Sequence, residues 1–137
     1  MEMPGLIAGG NINPSRFVKM DAASNEVAVA AAATDVTIGV TSDYQKAHPV
    51  TGASDVHAAA DDPVAVYPIG SVCKLTIGSG GCSVGSLLVS DSAGKGVAAA
   101  SSGTALQWIG AIAVEAGLED EAVTVIVVGT FRRYALV

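Results

Sequence analysis

A chain of 137 residues with a formal net charge of −6 fits a single domain, and it lacks the clustered Lys and Arg that a nucleic-acid surface needs. Half the residues are apolar but only 4% are aromatic; small Ala and Val side chains bury little area each, so stability shared across subunits is expected. No apolar run approaches the ~20 residues of a membrane-spanning helix. The opening MEMPGLIAGG has neither the basic start nor the apolar core of a signal peptide, which reads as a protein that stays in the compartment where it is made.

Met1 to Pro14 holds two prolines, three glycines and two asparagines around Leu6-Ile7, a poor helix or strand and the pattern of a flexible arm. Residues 15–137 read as one β-rich domain. Arg16 to Met20 alternates, with Phe17 facing one way and Val18 the other. A turn over Asp21 to Asn25 leads to a strand over Glu26 to Ala31, and a third strand spans Val36 to Thr41. Short strands at this spacing favour a meander or a barrel over an α/β unit. Ser42 to Pro63 breaks the rhythm as a long loop carrying both histidines, with room for one helical turn over Asp55 to Ala60 capped by Ser54 or Asp55.

Strands resume at Val64 to Tyr67, Val72 to Ile77, Leu87 to Ser90 and Val97 to Ala100. The last two are joined by Asp91-Ser92-Ala93-Gly94-Lys95-Gly96, a tight-turn sequence. Ser71 to Val89 reads as a hairpin turning at Gly78 to Gly81, which sets Cys82 opposite Ile77 and away from Cys73. A disulfide needs directly opposed partners across a β-pair, so two reduced, mostly buried thiols are expected. Leu106 to Val128 reads as the central hairpin. Val123, Val125 and Val127 share one face of its second strand and Thr124, Ile126 and Val128 the other, which suits the middle of a core. Phe131 to Val137 reads as an edge strand.

No constellation of side chains points to catalysis. Gly94-Lys95 fails as a phosphate-binding loop, because Val89 stands where the first glycine belongs and Gly96 where Ser or Thr should hold magnesium. His48 and His57 with nearby aspartates have no metal-ligand spacing. Cys73 on an apolar strand face would stay protonated and unreactive. Glu115, Glu119, Asp120 and Glu121 at the main turn lack the alternating ligand pattern of a calcium loop and read as a solvated acidic turn. Neither a metal nor a cofactor is expected. Arg132 and Arg133, the only adjacent basic pair, fit a partner's carboxylates or a guarded edge strand equally well.

The pattern as a whole resembles a known family. Gly10-x-Ile12-x-Pro14-x-Arg16-Phe17-Val18-Lys19, Ile38-Gly39-Val40-Thr41, Pro63-Val64-Ala65-Val66, Val84-Gly85-Ser86-Leu87-Leu88, Asp91-x-x-Gly94 and Ile109-Gly110-Ala111-Ile112-Ala113 occur in the order found in capsid decoration, or cement, proteins of tailed bacteriophages. The Ser42 to Pro63 segment is longer than that family's pattern, and the tail after Phe131 lies outside it. The resemblance implies a mainly β fold: a small single-domain barrel or sandwich of short antiparallel strands with at most one short helix. It further implies a non-enzymatic homotrimer that binds the major capsid protein on the outer capsid surface and clamps neighbouring subunits against the pressure of packaged DNA. Leu6, Ile7, Arg16, Arg132 and Arg133 are the expected capsid contacts, with neither nucleic acid nor membrane as a partner. The competing reading from the residues is a small β-barrel module that binds a ligand or carbohydrate; one Trp, three Tyr and two Phe make a thin platform for sugar.

Overall fold

A computed structural model describes residues 5–23, 25–43, 56–100 and 106–133, the side chains of Arg132 and Arg133 excepted. The first half of the chain supplies β1 (Ile7–Ala8), β2 (Phe17–Met20), β3 (Glu26–Val29), β4 (Gly39–Thr41) and β5 (Val66–Pro68). These form one sheet in the order β1-β3-β2-β4-β5. The second half supplies β6 (Val72–Thr76), β7 (Leu87–Ser90), β8 (Gly96–Ala98), β9 (Leu106–Ala113) and β10 (Ala122–Arg133), in the order β6-β10-β9-β7-β8. The mainly β expectation holds, and no helix occurs among the described residues.

Alternation along β2 explains how the first sheet is buried on both sides. Phe17, with Val40 as its cross-strand partner on β4, enters a core shared with Leu75, Leu88, Ala111, Val125 and Val127 of the second sheet. Val18 points the opposite way, into a second core with Ala8, Ile12, Val27, Ala58, Val64 and Val66. Two apolar residues in succession therefore serve two cores, as the period of two requires.

The second sheet curls. Ile77, just past β6, forms a parallel bridge to Gly96 at the start of β8, and the Gly78 N–H donates to the Gly96 carbonyl at 2.8 Å. The outer strands of the sheet therefore meet at one end, making a half-barrel. Its buried wall combines Ala111, Ala113 and valines with Leu75, Ile77 and Leu88, and a Cβ on Gly110 would lie 2.6 Å from Phe17 Cε1. Phe17 from the other sheet adds the largest fully buried side chain among the described residues. Gly94 in the β7–β8 turn has φ +76°, and a Cβ there would lie 2.6 Å from Val29 Cγ1; the turn needs glycine for both conformation and space. Asp91 shapes the same turn, its Oδ1 accepting from Ala93 N at 2.8 Å and Lys95 N at 2.9 Å.

Several expectations need correction. Residues 5–14 are not free of the domain: β1 runs parallel to β3, Ala8 and Ile12 are fully buried, and Ile12 exchanges backbone hydrogen bonds with Ala58 at 2.8 and 3.2 Å. Burying Ile12 outweighs the poor strand propensity of the prolines and glycines around it. The first strands are not a simple meander, because β4 pairs with the far edge of β2. The hairpin over Ser71 to Val89 does not form. Strand β6 pairs with β10, while Cys82 bridges Gly117; the glycine turn carries the chain across the end of the half-barrel instead of back along β6. The expected β9–β10 hairpin is present, and β10 continues to Arg133, so Phe131 to Arg133 are not a separate strand but an extension of β10 that pairs with β9 alone, past the end of β6. The helical turn expected over Asp55 to Ala60 is absent from Val56 to Ala60. Its proposed caps, and His48, lie outside the described residues.

Candidate interaction surface

Strand β10 lies between β6 and β9 with Val125 opposite Cys73 on one side and Ala113 on the other. That face looks into the core, where Val125 is fully buried. One residue along, the register turns to the opposite face: Ile126 is opposed to Val72 and to Ile112, and Ile112 is opposed to Leu87. Val72, Ile126, Ile112 and Leu87 thus form an unbroken aliphatic row across β6, β10, β9 and β7. Ile126 was expected to be buried, since both faces of β10 are apolar in sequence. Instead Val72 is 62% and Ile126 39% exposed, and Ile112 and Leu87 are half-buried. A contiguous apolar row on an accessible sheet face is a candidate interaction surface.

Beside the row the face becomes polar. Thr124 is opposed to Lys74, and Lys74 Nζ pairs with Glu115 Oε1 at 3.0 Å. Glu115 Oε1 also accepts from Thr124 N at 2.8 Å. That backbone bond, helped by Lys74, holds the Glu115 carboxyl below its ordinary pKa. Asp120 is held down likewise by its hydrogen bond and charge interaction with Lys95. Glu121 Oε1 accepts from Leu118 N at 2.6 Å. The acidic turn is solvent-exposed, as expected, and Glu115 and Asp120 tie it to Lys74 and Lys95. Among the described residues Glu119 and Glu121 make no ion pair, so the turn keeps excess negative charge.

Of the residues expected to contact a capsid, Leu6 is half-buried and packs against the second core. Ile7 is half-buried in β1, opposite Glu26. Arg16 is also half-buried. Its Nη1 donates to the Ala93 carbonyl at 3.1 Å, while its buried Nε has no hydrogen-bond partner among the described residues. Desolvation lowers the pKa of its guanidinium, against the opposing pull of Asp91 and Asp120. Arg132 and Arg133 stand opposite Gln107 and Leu106 at the far end of the β9–β10 hairpin.

Side chains that sequence reasoning weighed for chemistry have structural roles. His57 is 6% exposed, and its Nε2 accepts from Ala65 N at 3.1 Å. Both cysteines are free. Burial pushes Cys73 up to about 11, which keeps the thiol protonated at neutral pH. Trp108 spends its indole N–H on Thr37 Oγ1 at 3.0 Å and meets Phe131 edge-on, the ring centroids 4.8 Å apart. Among the described residues no three His, Cys, Asp or Glu side chains group as metal ligands.

No protein-family profile matches the chain, and no curated protein matches it. Among solved structures it is similar to the head fiber gp8.5 N base in bacteriophage phi29, with 22% identity over 89% of each chain and a TM-score of 0.58. At that identity the likeness is one of fold.

Proposed function

We propose that this chain is a non-enzymatic structural protein of a phage particle, which binds the outer surface of the capsid and clamps neighbouring major capsid subunits. The observation that carries this reading is the fold shared over 89% of both chains with the base of a phage head fiber. It agrees with the order of short motifs that resembles decoration proteins, a resemblance that also implies a homotrimer. Leu6, Ile7 and Arg16 are proposed capsid contacts through the parts of their side chains that remain solvent-accessible.

The mechanism is avidity. Three modest contacts per trimer act at high effective concentration once one is made, so the assembly outlasts any single contact. Each contact needs only a small area, which suits a chain whose cores are built largely from Val and Ala. The test is co-sedimentation with empty capsids of the phage that carries this gene. Saturable binding, accompanied by a rise in capsid melting temperature, is expected. A protein that stays in the supernatant at all ratios would overturn the reading.

A further inference from the structure

Strand β10 outruns its neighbour on one side. β6 pairs with Ala122 to Ile126, and the last bonds on that side join Val127 to the link at Gly70 and Ser71. Beyond them β10 continues to Arg133 with β9 as its one strand partner. Trp108 reveals where the vacant backbone groups point. It is directly opposed to Phe131, yet its N–H donates to Ala33 O at 2.8 Å and is not spent on β10. Opposed residues of an antiparallel pair exchange two bonds or none, so the N–H and C=O of Phe131 point away from β9. Those of Arg133 follow two residues on. Among the described residues no backbone–backbone hydrogen bond outside the β9 pairing reaches Gly129 to Arg133. The Phe131 carbonyl takes a 3.4 Å bond from its neighbour Thr130 Oγ1, long enough to yield to a backbone donor.

Apolar side chains flank this edge. Ile69, just before the link, is 56% exposed, and a Cβ on Gly129 would lie 2.6 Å from its Cδ1 and 2.8 Å from Trp108 Cζ2. Phe131, edge-on to Trp108, is 48% exposed. We propose that the edge from Gly129 to Arg133 takes an extended segment of the capsid subunit as an added strand, with an apolar side chain seated against Ile69 and Phe131. This deepens the capsid reading and rests on it. The chemistry of the edge selects an extended polypeptide: another strand satisfies outward N–H and C=O groups at alternate residues, and its alternate side chains supply specificity. The size of the edge selects a partner held by other contacts as well. Five residues at ~3.3 Å give a strip about 16 Å long, and a sheet is ~10 Å thick, so roughly 160 Å² is covered on each partner. A stable dimer needs about 800 Å² on each side, so a second copy would not stay on this edge in solution. A capsid subunit already engaged by the rest of a trimer meets it at high effective concentration.

Hydrogen–deuterium exchange of the full chain, free and bound to empty capsids, tests this. The Phe131 and Arg133 amides should exchange freely in the unbound chain and slow by about tenfold or more on capsids. Phe131→Pro deletes the outward N–H and leaves the β9 bonds in place, as proline on a strand edge does. It should bind capsids about tenfold more weakly than Phe131→Val, which keeps that N–H. Should Phe131→Pro misfold by circular dichroism, the exchange measurement decides alone. A wild-type chain that does not bind capsids overturns both this inference and the reading beneath it. A chain that binds, with unchanged exchange at 131 and 133 or with equal affinity for the two variants, overturns the inference and leaves that reading in place. Protection that grows with the concentration of free chain puts a second copy on the edge and overturns it too.

Discussion

The two sheets have similar strand numbers but opposite arrangements of exposure. The first sheet is covered on both faces: Phe17 and Val40 enter the shared core, and Val18, Val27 and Val66 enter a second core closed by Ile12, Ala58 and Val64. The second sheet has the longer strands but buries one face, leaving Ile126 and Val72 accessible. Covering a sheet twice takes chain length, here most of residues 5–14 and 56–64. The second half of the chain spends its length on long strands and keeps an apolar face open. That asymmetry separates the halves: the first sheet is closed over on both faces within the chain, and the second leaves Val72 and Ile126 accessible.

The sharpest way to break this contrast is at β10. Val125→Asp would bury an unpaired carboxylate between Cys73 and Ala113, costing several kcal/mol against a total stability of ~5–15. No soluble folded protein is expected, and a native-like circular dichroism spectrum would remove β10 from the centre of the fold. Next in size is the second core. Ile12→Ala should cost about 2–5 kcal/mol, measured by urea unfolding. A loss below ~1 kcal/mol would mean that the cover on the first sheet is dispensable and the two sheets are less different than described.

Gly110→Ala probes the junction between them. The new methyl group would lie 2.6 Å from Phe17 Cε1 and 2.8 Å from Thr37 Oγ1, and overpacking of this kind costs about 1–3 kcal/mol. The smallest effect is on the acidic turn. Glu115 and Asp120 both have lowered pKa values, so their contribution is complete above the ordinary carboxylate values of 4.5 and 3.8. It is lost as pH falls through the lower folded values. The thermal midpoint should fall in that acid window. In Glu115→Gln/Asp120→Asn, which cannot titrate there, the fall should be shallower; an identical acid profile would mean that the latches contribute nothing.

Much of the second sheet was legible in sequence, because its strands are β-branched and its turns local. The Asp91 to Gly96 turn and the β9–β10 hairpin were readable from residues close together in the chain. Partners chosen at long range were not. Nothing around β4 announces that it pairs with the far edge of β2, and nothing in Val72 to Thr76 selects β10 over the strand that follows. The interaction surface was half legible: the second apolar face of β10 was visible as Thr124, Ile126 and Val128, yet exposure depends on whether another layer covers it. Arg16 shows the converse: nothing in its local sequence announces the bond by which it anchors the Ala93 carbonyl from a half-buried position. Residues 5–14 misled because Pro and Gly lower strand propensity, whereas burying Ala8 and Ile12 decides the outcome.

The short link between the halves has a consequence for how the chain reaches its fold. Gly70 N donates to Val127 O, and Val127 N donates to Ser71 O, each at 2.8 Å. The joint between the sheets is thus tied to the last strand, which also pairs with both β6 and β9. During synthesis the first sheet can form early from neighbouring segments, but it has no second layer on which to bury Phe17. Until residues 122–133 emerge, β6 lacks its strand partner and the joint has no anchor. Folding is therefore expected to finish in one late, cooperative step, with a waiting period in which apolar edges from both halves are accessible to solvent.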